Sequence, residues 1–151
     1  MADLTIVNTS NEIMKGVQLV DEGRLEGALK HFSALHVAPD QNPVVASFIG
    51  MIKALRDNQP FQGIEVCKRA VSQDPDEPLC YMNLARIYMA MNDRYHAVKA
   101  IHKGLRSRNK TRDLLFTYYK TIGIRRQPPV KFLDRNHPVN KVLGKMTFKP
   151  K

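Results

Sequence analysis

The sequence predicts an all-α protein made of repeated helical hairpins, and three observations lead to this fold class. Four columns of equivalent residues recur at intervals of 35 and 34 positions. Each repeat contains two stretches in which apolar residues follow the spacing of one helix face. Between the stretches stands Gly or Asn, which tolerates the left-handed backbone found after helix ends. The four columns are Gly23, Asn58 and Asn92; Ala28, Gly63 and Ala97; Phe32, Cys67 and Ile101; and Leu35, Ala70 and Gly104.

Each repeat is interpreted as a helix-turn-helix unit because the columns have distinct physical roles. The Gly/Asn column ends the first helix, and the Ala/Gly column is small because two helices must approach closely there. The Phe/Cys/Ile column lies four residues later, on the same helix face. Pro75 stops the second helix of repeat two, and Pro78 with its neighbouring acids suits the start of the next. These signals predict helices over 9–22, 25–37, 44–57, 60–73, 78–91, 94–107 and 110–123.

The repeat resembles that of the tetratricopeptide repeat (TPR) family. The third unit matches best, through Tyr81, Leu84-Ala85, Tyr88, Asn92-Asp93, Ala97, Ile101 and Gly104. The first unit matches at Gly16, Gly23, Ala28 and Phe32, with a shifted Pro39, and the second departs most, with Gly50-Met51 and Gly63 at family positions. The resemblance implies a right-handed superhelical array of three TPR hairpins within a domain over 9–124. The repeats would span about 9–43, 44–77 and 78–111, with a capping helix over 110–123 and a basic, Pro-containing C-terminal tail over 125–151.

The composition predicts a folded protein without a membrane span. Apolar residues make up 43% of the 151 residues, enough for a core, and no stretch approaches the roughly 18 apolar residues of a membrane span. The N-terminal stretch lacks the basic start and apolar run of a signal peptide, so we expect a cytoplasmic protein. Cys67 and Cys80 fall at helical core spacings and are expected to be buried thiols.

The resemblance also implies a concave groove lined by the first helix of each hairpin. The expected lining is almost wholly apolar: Ile13, Val17, Val20, Val45, Phe48, Ile52, Leu55, Leu79, Met82, Arg86 and Met89. Some family members grip a C-terminal carboxylate in this groove, but Ile13 and Val17 stand at two of the required positions, and Asn83 alone matches. An apolar groove instead suits an amphipathic helix or an apolar extended segment of a partner protein. The alternative is that these residues simply pack on neighbouring helices.

The C-terminal third is strongly basic, which suggests a second kind of partner. Residues 1–98 carry 9 basic and 12 acidic side chains, whereas residues 99–151 carry 15 and 2. The expected basic surface contains Lys99, Lys103, Arg106, Arg108, Lys110, Arg112, Arg125 and Arg126. Tyr118 and Tyr119 lie between these cations, and basic groups interleaved with aromatic rings occur in single-stranded nucleic-acid binders. A solvated helix face is the alternative, and an acidic protein patch or acidic membrane surface is also a candidate partner.

No catalytic site is predicted. The histidines are five or six residues apart on their helices, which is poor spacing for a shared metal ion, and no Gly-rich phosphate loop occurs. We therefore expect no cofactor, no metal and no small-molecule substrate. The leading hypothesis is a non-enzymatic adaptor, scaffold or chaperone-like protein-binding module. The alternatives are an anion-binding module and a self-associating subunit, a homodimer whose tail, with its apolar Val130, Phe132 and Leu133, fills a neighbour's groove.

Overall fold

The computed structural model describes residues 2–35 and 41–123, together with residues 138, 139, 142 and 143. The predicted all-α helical repeat is confirmed: the described residues form helices without a strand, and sequence-adjacent helices pack against each other. The helices are α1 (Ala2–Asp21), α2 (Leu25–Ala34), α3 (Pro43–Arg56), α4 (Pro60–Gln73), α5 (Pro78–Ala90), α6 (Arg94–Gly104) and α7 (Arg112–Thr121). None of the described helices is long and apolar enough to cross a membrane.

The turn within each hairpin has the same backbone geometry in all three repeats. Gly23, Asn58 and Asn92 adopt positive φ values of 75°, 54° and 59°. The next backbone N–H in each turn donates to the carbonyl oxygen five residues earlier, at 2.9, 3.0 and 2.8 Å. This pairing satisfies a carbonyl that a helix end would otherwise leave free, as in a Schellman motif. The Gly/Asn column therefore ends the first helix of each hairpin, as predicted.

The Ala/Gly column marks the closest approach of the two helices in a hairpin. Ala28, Gly63 and Ala97 are fully buried. A Cβ atom at Gly63 would lie 2.4 Å from the Cβ of Ala54 and 2.9 Å from the carbonyl oxygen of Gly50. The middle hairpin thus has no room for the methyl group that the outer two accept.

Prolines and side-chain caps fix where the later helices begin. Pro43, Pro60 and Pro78 each stand at the start of a helix, where a missing N–H costs nothing. The Asn42 side chain accepts from the Val45 N–H at 3.2 Å and so caps α3. The Asp93 side chain accepts from the His96 N–H at 3.1 Å and caps α6 in the same way. These local signals account for the agreement, to within one residue, between the predicted and observed starts of α3 to α6.

Five helix bounds differ from the prediction by two or more residues. Helix α1 begins at Ala2 rather than at residue 9, α2 ends at Ala34 rather than at 37, and α6 ends at Gly104 rather than at 107. Helix α7 begins at Arg112 rather than at 110 and ends at Thr121 rather than at 123. The α6–α7 loop leaves helical geometry because its side chains bind the turn before α5. The Ser107 hydroxyl donates to the Asp76 carbonyl oxygen at 2.6 Å, and the Asn109 amide donates to the Glu77 carboxylate at 2.9 Å.

Helix α7 packs on the last hairpin. It contacts α5 and α6, and its Leu115 is fully buried. A Cβ atom at Gly104 of α6 would lie 2.6 Å from Leu115 Cδ2, which shows how closely the two helices meet. The chain divides into one compact unit over Met1–Thr121 and a second over Ile122–Lys151. The expected docking of the tail, including Val130, Phe132 and Leu133, lies outside the described residues.

Candidate functional site

The first unit contains a pocket with a volume of about 510 Å³. Helices α1, α3, α5 and α7 supply its walls, together with Leu25 at the start of α2. Most of the lining residues are apolar, and the polar ones lie on α5, on α7 and at the end of α1. It comprises Val17, Val20, Asp21, Leu25, Met51, Leu55, Met82, Arg86, Ala90, Leu114, Thr117, Tyr118 and Thr121.

Arg86 is the polar centre of this pocket. Its side chain is 12% exposed, one of its amino groups donates to the Asp21 carboxylate, and its guanidinium carbon lies 5.3 Å from the centre of the Tyr118 ring. Its other amino nitrogen, Nη1, is buried without a hydrogen-bond partner among the described residues. Burial raises the pKa of the Tyr118 hydroxyl, and the nearby Arg86 charge opposes that shift. The pocket therefore holds an ion pair, a cation–π contact and spare hydrogen-bonding capacity within apolar walls.

The predicted groove residues divide into three groups. Val17, Val20, Leu55, Met82 and Arg86 line the pocket. Val45, Phe48, Ile52 and Leu79 are buried in the core and contribute nothing to the exposed surface. Ile13 and Met89 are half-buried outside the pocket lining.

The buried group has a clear physical cause. Phe48 of α3 stacks on Phe32 of α2, with ring centroids 4.7 Å apart, so the preceding hairpin covers it. Helix α5 packs against α3, α4, α6 and α7, which leaves little of its surface open. These four residues pack on neighbouring helices, which was the alternative interpretation of the sequence.

Several pocket residues were missed by sequence reasoning. Asp21 ends α1 and pairs with Arg86, which lies 65 residues away in the chain. Helix α7 contributes Leu114, Thr117, Tyr118 and Thr121, although the sequence predicted it to cap the last hairpin and placed Tyr118 among the basic residues. The apolar spacing of α7 was visible in the sequence, but the position of the helix beside α5 was not.

The expected basic surface is exposed wherever the structure describes it. Lys99, Lys103, Arg106, Arg108, Lys110 and Arg112 are all exposed to solvent. They follow one another along α6, the α6–α7 loop and the first residue of α7. Arg125 and Arg126 lie outside the described residues.

Neither a metal-ligand cluster nor a thiolate occurs among the described residues. No cluster of three or more His, Cys, Asp or Glu side chains in this part of the chain is placed to hold a metal ion. Cys67 and Cys80 are buried free thiols, and burial raises the pKa of the Cys80 thiol to about 12. Burial also raises the pKa of the Cys67 thiol, so neither sulfur is a thiolate at neutral pH.

The chain was compared with family models, curated proteins and solved structures. No family model matches the chain, and no curated protein does. Among solved structures, the crystal structure of the P58(IPK) TPR domain is similar, with 14% sequence identity and a TM-score of 0.47. The match covers 80% of this chain and 36% of that chain, so this chain spans about a third of the length of the structure that it matches.

Proposed function

We propose that this chain is a non-enzymatic protein-binding module, an adaptor or chaperone-like subunit, whose concave pocket holds the apolar face of a partner's helix or extended segment. The observation that carries the proposal is the pocket of about 510 Å³, which has apolar walls around the single polar centre formed by Arg86. Concave, mostly apolar pockets of roughly 300–1,000 Å³ with a few polar groups are the usual ligand-binding sites of folded domains.

The chemistry of the lining suits a side chain or short segment rather than a charged tail. Leu55 and Leu114 are half-buried, so they offer apolar surface that a partner would cover. Met51 and Met82 lie behind this surface and are almost fully buried, so they support the pocket wall from the core. An amphipathic helix presents such anchors at positions i, i+3 or i+4, and i+7.

The polar groups around Arg86 would orient a partner segment that is bound in the pocket. The free Nη1 of Arg86 is a donor without an acceptor among the described residues, and the exposed Thr117 adds a hydroxyl group at the pocket wall. The Thr121 hydroxyl already donates to the Tyr118 carbonyl oxygen at 2.7 Å. A backbone carbonyl or amide of the partner would satisfy the Arg86 and Thr117 groups, which otherwise cost free energy when they are desolvated. The Asp21 carboxylate disfavours an acidic partner group at the same place.

The test is capture of protein partners from nuclease-treated lysate of the source organism by full-length protein and two pocket variants. Ala90→Glu and Thr117→Glu place a carboxylate at exposed pocket positions, so the fold is retained while an apolar anchor is repelled. Ala34→Glu makes the same kind of change at an exposed residue of α2 outside the pocket and is the matched control. Phe48 and Met82 are unsuitable for this purpose, because both are buried and a charge there would unfold the protein.

The proposal expects a defined protein that is retained by wild type and Ala34→Glu and lost by both pocket variants. Equal capture by all four proteins would refute it. If the retained protein is a second copy of this chain, the self-associating homodimer is the correct form of the proposal, and deleting residues 127–151 would then convert the dimer to a monomer in solution. A cytoplasmic location remains a prediction from the sequence.

A further inference from the structure

A stripe of cations runs along the outer face of α6. Tyr95, Lys99, His102 and Lys103 fall within about 100° of one another on the helix wheel, and Arg106 follows in the turn after the helix. All five residues are exposed. Tyr95 is 71% exposed and lies under the Lys99 ammonium group, with the nitrogen 5.9 Å from the ring centroid. The stripe therefore combines an open aromatic face with positive charge.

The same repeat positions in the preceding hairpin have a different character. Glu65 of α4 is equivalent to Lys99, and it pairs with Lys68 at 3.7 Å. Ser72 of α4 is equivalent to Arg106. The second helix of repeat two thus carries a mixed, partly neutralised face, whereas that of repeat three carries cations alone. The basic charge belongs to the last repeat and does not follow from the repeat pattern.

The basic stripe continues into a loop that is held in a fixed conformation. The buried Glu77 carboxylate accepts from the Leu79 N–H at 3.0 Å, from the Asn109 amide at 2.9 Å and from the Thr111 hydroxyl at 2.7 Å. The loop therefore presents the exposed Arg108 and Lys110 from an ordered backbone, at a smaller entropic cost to any partner that binds them.

Helix α7 extends the surface with a second aromatic and cation pair. Phe116 is 42% exposed, and the Lys120 ammonium group lies 4.5 Å from the centre of its ring. His102 of α6 contacts Tyr119 of α7, with 3.2 Å between ring nitrogen and hydroxyl oxygen, so the two helices meet along this surface. We define the α6–α7 basic surface as Lys99, Lys103, Arg106, Arg108, Lys110, Arg112 and Lys120 with the rings of Tyr95 and Phe116.

Carboxylates do not neutralise this surface. Between residues 94 and 121 the sequence contains one acidic residue, Asp113. None of the seven cations forms an ion pair with an acidic side chain among the described residues. Their charge is available to an anionic partner.

We propose that the α6–α7 basic surface binds single-stranded nucleic acid, independently of the protein-binding pocket. Lys and Arg side chains spread over two helices and a fixed loop would contact successive phosphates, with release of counterions. The exposed rings of Tyr95 and Phe116 would stack on bases, which distinguishes a single strand from a duplex whose bases are already stacked. An acidic protein segment has negative charge but lacks the nucleobases on which Tyr95 and Phe116 would stack.

The experiment measures fluorescence anisotropy of labelled 20-nucleotide oligo-dT and oligo-U with full-length protein over a range of NaCl concentrations. Lys99→Gln/Lys103→Gln is expected to weaken binding about tenfold and to reduce the slope of log K against log salt by about 1.4, the value for two lost phosphate contacts on a single strand. The control Lys68→Gln/Arg69→Gln removes the same charge from α4 and is expected to change affinity by less than about twofold.

A second pair of matched variants tests the contribution of the aromatic rings to binding. Tyr95→Ala is expected to weaken binding about tenfold, because stacking on one base is lost. Phe61 occupies the equivalent position of repeat two and is 73% exposed, so Phe61→Ala is expected to leave binding unchanged. Circular dichroism of each variant verifies that the fold is retained.

Three results would overturn the proposal: no binding of either oligonucleotide at low salt, equal binding by Tyr95→Ala and wild type, or competition by polyglutamate as effective as that by oligo-dT. The last would assign the surface to an acidic protein segment. Because Tyr95 lies outside the pocket, protein capture in nuclease-treated lysate is expected to be unchanged in Tyr95→Ala, so the two proposals fail separately.

Discussion

The Gly63→Ala substitution tests how closely α3 and α4 approach in the middle hairpin. In an unconstrained helix this change stabilises a protein by roughly 0.5–1 kcal/mol, because Ala has less backbone freedom to lose. At Gly63, however, the new methyl group would lie 2.4 Å from the Cβ of Ala54, 2.9 Å from the carbonyl oxygen of Gly50 and 3.0 Å from Ile87 Cδ1. Two of these three atoms cannot rotate away, so the helices must separate.

The magnitude follows from the balance of these two effects. Forcing an extra methyl group into a packed core costs about 1–3 kcal/mol, which exceeds the gain in helix propensity. We expect a net loss of about 1–2 kcal/mol in the free energy of unfolding. Gly27→Ala is the matched control, because its new methyl group would have Leu19 Cδ2 as its nearest neighbour at 4.0 Å. That variant is expected to gain about 0.5 kcal/mol.

Urea unfolding followed by circular dichroism at pH 7 measures both changes. The two variants are expected to shift the midpoint in opposite directions, and thermal unfolding is expected to separate them by about 8 °C. If Gly63→Ala is as stable as Gly27→Ala, the hairpin is looser than described and the explanation of the Ala/Gly column is wrong.

Two further predictions concern stability. Glu77→Ala removes a buried carboxylate that accepts from the Leu79 N–H, the Asn109 amide and the Thr111 hydroxyl, so we expect a loss of about 2–3 kcal/mol in urea unfolding, against less than about 0.5 kcal/mol for the exposed Glu65→Ala. An equal effect of the two changes would mean that the carboxylate does not organise the α6–α7 loop. Alkaline pH is expected to destabilise the protein, because burial raises the pKa of both thiols above the ordinary value of 9.0. Because the folded protein keeps both thiols protonated, their contribution to the free energy of unfolding is fully present below pH 9. The contribution is lost as the pH rises above 9 and the thiols of the unfolded chain release their protons. The variant Cys67→Ala/Cys80→Ala is expected to flatten this fall in urea midpoints measured between about pH 7 and pH 10.5, and an unchanged slope would contradict the assignment.

Most of the fold could be predicted from the sequence because its determinants are local. A residue with positive φ must stand at each hairpin turn, and Gly23, Asn58 and Asn92 meet this requirement within their own segments. Proline at the start of α3, α4 and α5 is likewise a local signal. The predicted end of α6 and the predicted start of α7 were wrong because both depend on hydrogen bonds between the α6–α7 loop and Glu77, which lies more than 30 residues away in the chain.

The candidate pocket could be predicted only in part, for a related reason. Apolar spacing identifies a buried helix face, but it does not tell whether a neighbouring hairpin or an absent partner covers that face. Phe48 and Leu55 both lie on such faces of α3, yet Phe48 packs under Phe32 while Leu55 is half-buried in the pocket lining. The Asp21–Arg86 pair joins helices from the first and third repeats, and nothing in the sequence near either residue indicates the other.

Site-specific photocrosslinking tests the central claim most directly. A photoreactive amino acid replaces Ala90, an exposed residue of the pocket, or Ala34, an exposed residue of α2 outside it, and the labelled protein is irradiated in cells of the source organism. Protein binding in the pocket predicts a discrete crosslinked protein at position 90 that is absent at position 34, with an apolar or amphipathic segment at the crosslinked site. Crosslinks of equal yield at both positions, or at position 34 alone, would contradict the pocket as the interaction site.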